Sequence, residues 1–554
     1  MMMSSEPNPE RDELSPQGSR PVSPREKEVE VEEGKNTNGD SPDISTSTSD
    51  DGEEEYPTGF RMVVVVAALM LAIFLTSLDL TIIATAIPRI TDEFHSLSDV
   101  AWYGSSFFLV TASFQAAWGK LYGWVSLKYV YLVAIFIFEV GSLICGVAPS
   151  SVALIVGRAI TGLGAAGVNT GSFTLAAFCA PPKLRPIFTG LIGLSYGVAS
   201  VVGPLLGGVF TDRVTWRWCF YINLPAGAVS AIFIILYFKD PAASKAKNDT
   251  SLRDKLISLD FVGISLILGA VVTFILAAQY GGQTRPWSSS VVIGLLVGFA
   301  AIIIAFIAWE IYMGERATFI PRLVKKNAIV SAVGFFFFGS YIITIYYLPI
   351  YFQSIDGTSP IDSGVRNLPF IILVSVCTLV SGIGISKTGY TAPFLVGGAA
   401  IATIACGLIY TFDIGTSTGK WVGYQLLGGI GNGLGVQVPT IIAQARSDTT
   451  DMAMTTAILI SFQTIGGAFL QSAAQAALGN RLLITLPHSA PDVDPAAVIA
   501  AGAADLQKKF GPSIYGVRVA YMDGLKASFA LSIASMGVAF IFALFTGWKK
   551  LSAP

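Results

Sequence analysis

Asp79, Glu139 and Arg158 are the ionisable side chains that interrupt long apolar stretches of this 554-residue chain. A charge at the centre of a bilayer costs ~2.5–3.5 kcal/mol on insertion scales, so such residues normally face a cavity or a partner. Arg158 keeps its proton at physiological pH and serves as a fixed positive charge. A carboxylate beside a guanidinium can alternate between an ion-paired and a protonated state, because desolvation favours the acid and the cation favours the anion. That is the minimum chemistry of a proton-coupled carrier. The same residues also read as a static tie between helices, and the residues alone leave both readings open. Glu139 joins the candidate proton-coupling groups, but it has no evident partner and leans toward a structural or interfacial role.

These residues are positioned by about fourteen hydrophobic segments running from Arg61 towards the C-terminus. A spanning helix needs ~20 apolar residues, and stretches such as Met62–Leu78, Tyr129–Val147 and Val291–Trp309 approach or reach that length almost without charge. Hydrophobic residues make up 53% of the chain and charged ones 13%. The reading is an all-α polytopic membrane protein with spans from 62–83 to 526–547. The chain's net charge of −2 hides a split: residues 1–60 carry 16 acidic and 5 basic side chains, and the remainder is basic. That first segment is rich in Ser, Glu and Pro and is expected to be a disordered tail, with Ser15, Ser23 and Ser41 each followed by proline. No cleavable leader is expected, since the first apolar run starts late and is long.

An even number of spans puts both termini on one side. The loops on that side collect Lys120, Lys128, Lys183, Arg185, Arg322, Lys325 and Lys326, whereas the short loops opposite hold few basic residues. The positive-inside rule therefore makes both termini cytosolic. Asn248, in the sequon Asn248-Asp249-Thr250, falls in a cytosolic loop and should stay unglycosylated. The longest outer loop is expected at about 479–524. Five cysteines show neither metal-ligand nor disulfide spacing, and His95 and His488 fall in expected loops. Without a metal site, a nucleotide-binding loop or a hydrolytic triad, a membrane enzyme is disfavoured and no cofactor is expected. Nothing points to nucleic acid.

Span five adds a backbone signal. It reads Gly193-x3-Gly197 and then Gly203-Pro204-x2-Gly207-Gly208. Glycines four apart make a smooth face for close helix contact, and Pro204 removes a backbone hydrogen bond. Such a helix suits rocking against a neighbour, and it equally suits simple close packing.

Taken together, these elements resemble the major facilitator superfamily, in particular its fungal fourteen-span drug:proton antiporter branch. Span five is similar to that family's antiporter motif. Gly157-Arg158-x3-Gly162-x-Gly164 resembles its span-four motif, and Leu78-Asp79-x-Thr81-Ile82 through Ala86-x-Pro88 its span-one element. The stretches Phe138–Gly146, Trp216–Pro225 and Tyr347–Gln353 resemble the fungal branch. The loop after span two departs from the superfamily pattern: Gly119-Lys120 through Lys128 has Gly123 where an acid is usual and Leu127 where an arginine is usual. The charge relay of that loop is therefore not expected, and Lys120 and Lys128 read as reporters of orientation.

The resemblance implies a major facilitator fold of 6 + 2 + 6 helices. A six-helix half would occupy 61–240, a linker with two additional helices 241–325, and the second half 326–554. A central site would open alternately to each side. Candidate site-lining residues are Gln115, Asn169, Tyr341, Tyr346, Tyr347, Gln353, Gln437 and Gln463, amides and rings that suit an amphipathic ligand. The implied function is export of toxins, secondary metabolites or drugs by a monomer in the lipid bilayer of the plasma membrane, driven by the proton gradient. Import or vacuolar loading of amino acids or iron chelates, and a transporter-like sensor, are the alternatives.

Overall fold

The apolar runs form helices, because in hydrocarbon every backbone amide must be satisfied within its own segment. The computed structural model describes residues 59–95, 99–240, 258–503 and 506–551, and no strand occurs among them. The acidic tail and the Asn248 sequon lie outside the described residues. The long helices are α1 (Gly59–Phe94), α2 (Val100–Trp124), α3 (Leu127–Val147), α4 (Ser151–Cys179), α5 (Arg185–Arg213) and α6 (Asn223–Tyr237). Then follow α7 (Phe261–Tyr280), α8 (Ser290–Met313), α9 (Pro321–Ser354), α10 (Leu368–Thr388) and α11 (Ala392–Tyr410). The last are α12 (Thr418–Gly435, resuming as Val438–Ala445), α13 (Met452–Ser489) and α14 (Ile514–Leu544).

Thirteen of these helical segments are long and apolar enough to cross a membrane, α6 together with the short helical turn before it, from Trp218 to Tyr237. The one that falls short is α2, whose 25 residues include Ser105, Ser106, Gln115 and Lys120. It packs between α4, α7 and α13 rather than standing apart, which completes the expected fourteen.

Helix starts follow local chemistry. Ser126, Ser150 and Ser289 cap α3, α4 and α8 by accepting from the amides of Tyr129, Ala153 and Val292. Proline stands in the first turn of α5, α9 and α10, where its missing N–H costs nothing. The break in α12 has the same origin. Pro439 cannot donate to the carbonyl of Gly435, and the helix opens at Val436 and Gln437.

Helices α1–α6 pack among themselves, chiefly α3 on α4, α1 on α5 and α2 on α4. Helices α9–α14 do likewise, through α9 on α13, α11 on α12 and α13 on α14. Two seams join these groups, α5 against α10 and α2 against α13. The inserted helices α7 and α8 pack on each other, and α7 also touches α2 and α13. Where 479–524 was expected as loop, α13 stays helical to Ser489 and carries His488 in its last turn. The connection to α14 is correspondingly shorter and includes a short helix, Pro495–Ala501.

The buried charge pair and the seam between the halves

The side chains of Asp79 on α1 and Arg158 on α4 are wholly buried, and Arg158 Nη1 donates to Asp79 Oδ2. Arg158 Nε donates to the carbonyl of Tyr103 on α2 at 2.9 Å. The guanidinium lies 4.7 Å from the Phe107 ring centroid and 5.9 Å from that of Phe220. The other carboxylate oxygen of Asp79 accepts from Asn223 Nδ2 at 3.3 Å, and the same amide donates to Ser142 Oγ at 3.1 Å. One network thus joins α1, α2, α3, α4 and α6. The glycines around Arg158 explain how α4 gets close enough: a Cβ at Gly162 would meet the backbone of Phe107, and one at Gly164 that of Phe138.

Asn223 was not among the sequence candidates, although the Trp216–Pro225 element contains it. Glu139 stands apart from this network. Both its carboxyl oxygens are buried without a hydrogen-bond partner among the described residues, against Gly227 of α6. A charged carboxylate so placed would be uncompensated, which is costly.

The glycines of α5 serve two neighbours. Gly203 and Gly207 face α1, where a Cβ would strike the hydroxyls of Thr81 and Thr85. Gly193 and Gly197 face α10, against Thr378 and Ser375, and Gly208 lies near Ile361. Pro204 sits inside the helix, directly after Gly203 in the set that faces α1. It takes away the N–H that would have met the Ser200 carbonyl, while Thr81 Oγ1 donates to the neighbouring carbonyl of Ala199 at 3.3 Å.

The seams are closed on the side that carries the basic loops. Gly382 of α10 abuts the Pro186 carbonyl of α5, and Gly119 of α2 abuts Ala453 and Ala457 of α13. Ser386 Oγ donates to the Lys183 carbonyl at 2.6 Å, and Gln444 Nε2 to the Phe173 carbonyl at 3.3 Å.

Two candidate ligand-binding residues, Gln115 and Gln437, touch the opposite half. Thr464 of α13 donates to Gln115 Oε1 at 2.8 Å, a crossing between residues 349 positions apart. Gln463 Nε2 reaches the Val436 carbonyl, exposed by the break in α12, at 3.5 Å. Gln437, at that break, packs against Gly193 of α5. Asn169 accepts from Thr76 at 3.1 Å within the first six helices. Tyr341 stacks on Phe370 with ring centroids 6.2 Å apart. The remaining three lie further along α9. Tyr347 donates to Gln475 at 3.3 Å, Gln353 to Ser363 at 2.9 Å, and Tyr346 is half exposed. They do not join the amide group. An apolar crevice of about 400 Å³ between α2, α3 and α7, lined by Phe114, Trp118, Tyr129 and Phe261, offers no polar group to orient a ligand.

A many-helix membrane body with a wholly buried charge network and two glycine-faced seams defines a transporter. Residues 69–470 match the Major Facilitator Superfamily, and the chain belongs to it. It is 51% identical to the MFS-type transporter grgE of Penicillium sp over 96% of this chain and 94% of that protein. It is 49% identical to the probable efflux pump gsfJ of Penicillium aethiopicum, over 90% of each chain. An MFS-type efflux pump of Trichophyton rubrum is 42% identical over 92% of this chain and 95% of its own. Among solved structures, the proton:xylose symporter XylE superposes with a TM-score of 0.57 at 13% identity, covering 88% of this chain and 97% of that one. The human organic anion transporter MFSD10 does so at 0.56 and 14%, covering 87% and 99%. These two likenesses concern the fold. The protein is a multi-pass carrier of small molecules and not an enzyme.

Proposed function

We propose that this carrier exports amphipathic small molecules, such as toxins, secondary metabolites or drugs, across the plasma membrane in exchange for protons. The observation that carries the reading is the Asp79–Arg158 pair, buried completely and held from both sides by Tyr103 and Asn223. A proton on Asp79 would cancel the ion pair and leave Arg158 with the Tyr103 carbonyl. The consequence would travel by contact, because α1 packs on Gly203 and Gly207 of α5, and α5 packs through Gly193 and Gly197 on α10. Proton binding and seam geometry would then bias one two-state equilibrium.

The basic loops make the closed side cytosolic, with both termini there. The amides of Gln115, Gln437 and Gln463 would orient a ligand that stacks on rings such as Tyr341, and Glu139 would be a second protonatable group. Several relatives named as efflux pumps favour export over amino-acid or iron-chelate uptake, vacuolar loading or sensing.

The test is efflux of labelled amphipathic compounds from pump-depleted yeast expressing the chain, with and without a protonophore. Protonophore-sensitive efflux is expected. Proton-dependent accumulation instead would move the protein to the importer reading.

A further inference from the structure

We infer that the inserted pair α7 and α8 is a diagonal brace that stabilises the arrangement sealed on the basic side, with Lys120 and Asn480 as its two anchor points. The departure at the loop after α2 is where this begins. Lys120 is only 4% exposed, although the sequence reads it as a marker of orientation. Its ammonium donates to the carbonyl of Ser258, just before α7, and to that of Arg316, just after α8, the latter at 2.6 Å. One lysine of α2 thus grips both basic-side ends of the insert.

Two buried carboxylates of the insert stand around this grip. Asp260 is 3% exposed and adopts a left-handed backbone, φ +52°, rare for a residue with a side chain. It accepts from the amides of Gly263 and Thr318 and from Trp309 Nε1, at 2.9, 3.0 and 2.7 Å. Glu310 accepts from the Phe319 amide at 2.7 Å. The cluster therefore fixes α7, α8 and the start of α9 to one another and presents them to Lys120.

At the other end the insert is held by the opposite half. Asn480 of α13 donates to the Gly281 carbonyl at 3.0 Å and accepts from Trp287 Nε1 at 3.1 Å. Gly282, with φ +73°, lies so close to Asn480 that a Cβ would collide with its amide oxygen. Between the two anchors, Phe274 and Phe299 pack on Phe469 of α13 at 4.5 and 5.7 Å between centroids.

The anchors sit on opposite halves at opposite ends of the insert. Gly119, next to Lys120, is itself part of the α2–α13 seal. Opening the basic side parts α2 from α13 there. The insert cannot follow both helices, so a tie must break or the pair must tilt out of its packing. Either way, the ties favour the sealed state.

The experiment is a spin-label distance measurement on the full chain in lipid nanodiscs, with Cys377→Ser as background and labels at Val125→Cys and Thr449→Cys, exposed sites at the basic-side ends of α2 and α13. Lys120→Met and Asn480→Ala are each expected to raise the ratio of long to short distances about tenfold, the scale of losing hydrogen bonds to a charged or buried group. An unchanged distribution in either folded variant overturns the brace, since a local latch would need only one anchor. If Lys120→Met yields no monodisperse carrier, Lys120→Gln replaces it, with a smaller rise in the same direction expected and no rise overturning the idea. The readout needs neither substrate nor proton gradient, so it fails or succeeds independently of the export reading.

Discussion

Arg158 presents its guanidinium to a carbonyl, a carboxylate and two aromatic faces at once. An ammonium is a point charge on a flexible stem and cannot repeat that planar arrangement. Arg158→Lys should therefore lower the transport rate per inserted molecule by about tenfold or more, and a wild-type rate would reduce the pair to a static charge. Asp79→Asn keeps the size and an oxygen for Arg158 and should insert normally, yet lose proton-driven transport. Efflux driven by an imposed pH gradient in vesicles checks it. The two charges were legible in the sequence because ionisable groups stand out in apolar spans. The rest of their network was not, because an amide such as Asn223 or a hydroxyl such as Ser142 looks like any other small polar residue until the helical register between distant segments is known. Lys120 was legible as a charge but not as a buried one, since its neighbours come from segments more than a hundred positions away.

At the level of the elements, α5 is the part whose composition and packing agree most closely. Its glycine spacing signalled close contact, and both contact faces are occupied. Alanine for Gly197 would gain up to ~1 kcal/mol of helix propensity but would push a methyl group into Ser375, and overpacking of this kind typically costs ~1–3 kcal/mol. Gly197→Ala should thus lower the thermal unfolding midpoint of the purified carrier, and Ser375→Gly in the same chain should restore it. No recovery would place the defect elsewhere than the α5–α10 seam. The break in α12 was not expected from the sequence. Its signal was Pro439, four residues after Gly435, in a run otherwise apolar enough to pass as continuous helix. The extent of α13 escaped as well: the outer loop was expected from about 479, while the helix runs on past the apolar stretch to Ser489.

For the molecule as a whole, hydropathy alone was enough to expect a bundle of about fourteen helices, and the order of the motifs was enough to expect the superfamily. Which side is sealed could not be read from the sequence, because it depends on contacts between the two groups of helices. Deleting residues 1–55 should leave the transport rate per molecule unchanged and alter only abundance or trafficking, as flux normalised to surface protein would show; a lost rate would make the tail part of the gate. The seams have one further consequence. The first six helices are held to the rest by α2 on α13, α5 on α10 and the grip of Lys120, all of them contacts across space. The peptide link between Asp240 and Ser258 is then dispensable for cohesion. Two polypeptides translated separately, ending and starting within that stretch, should find each other in the bilayer and co-purify as one working carrier.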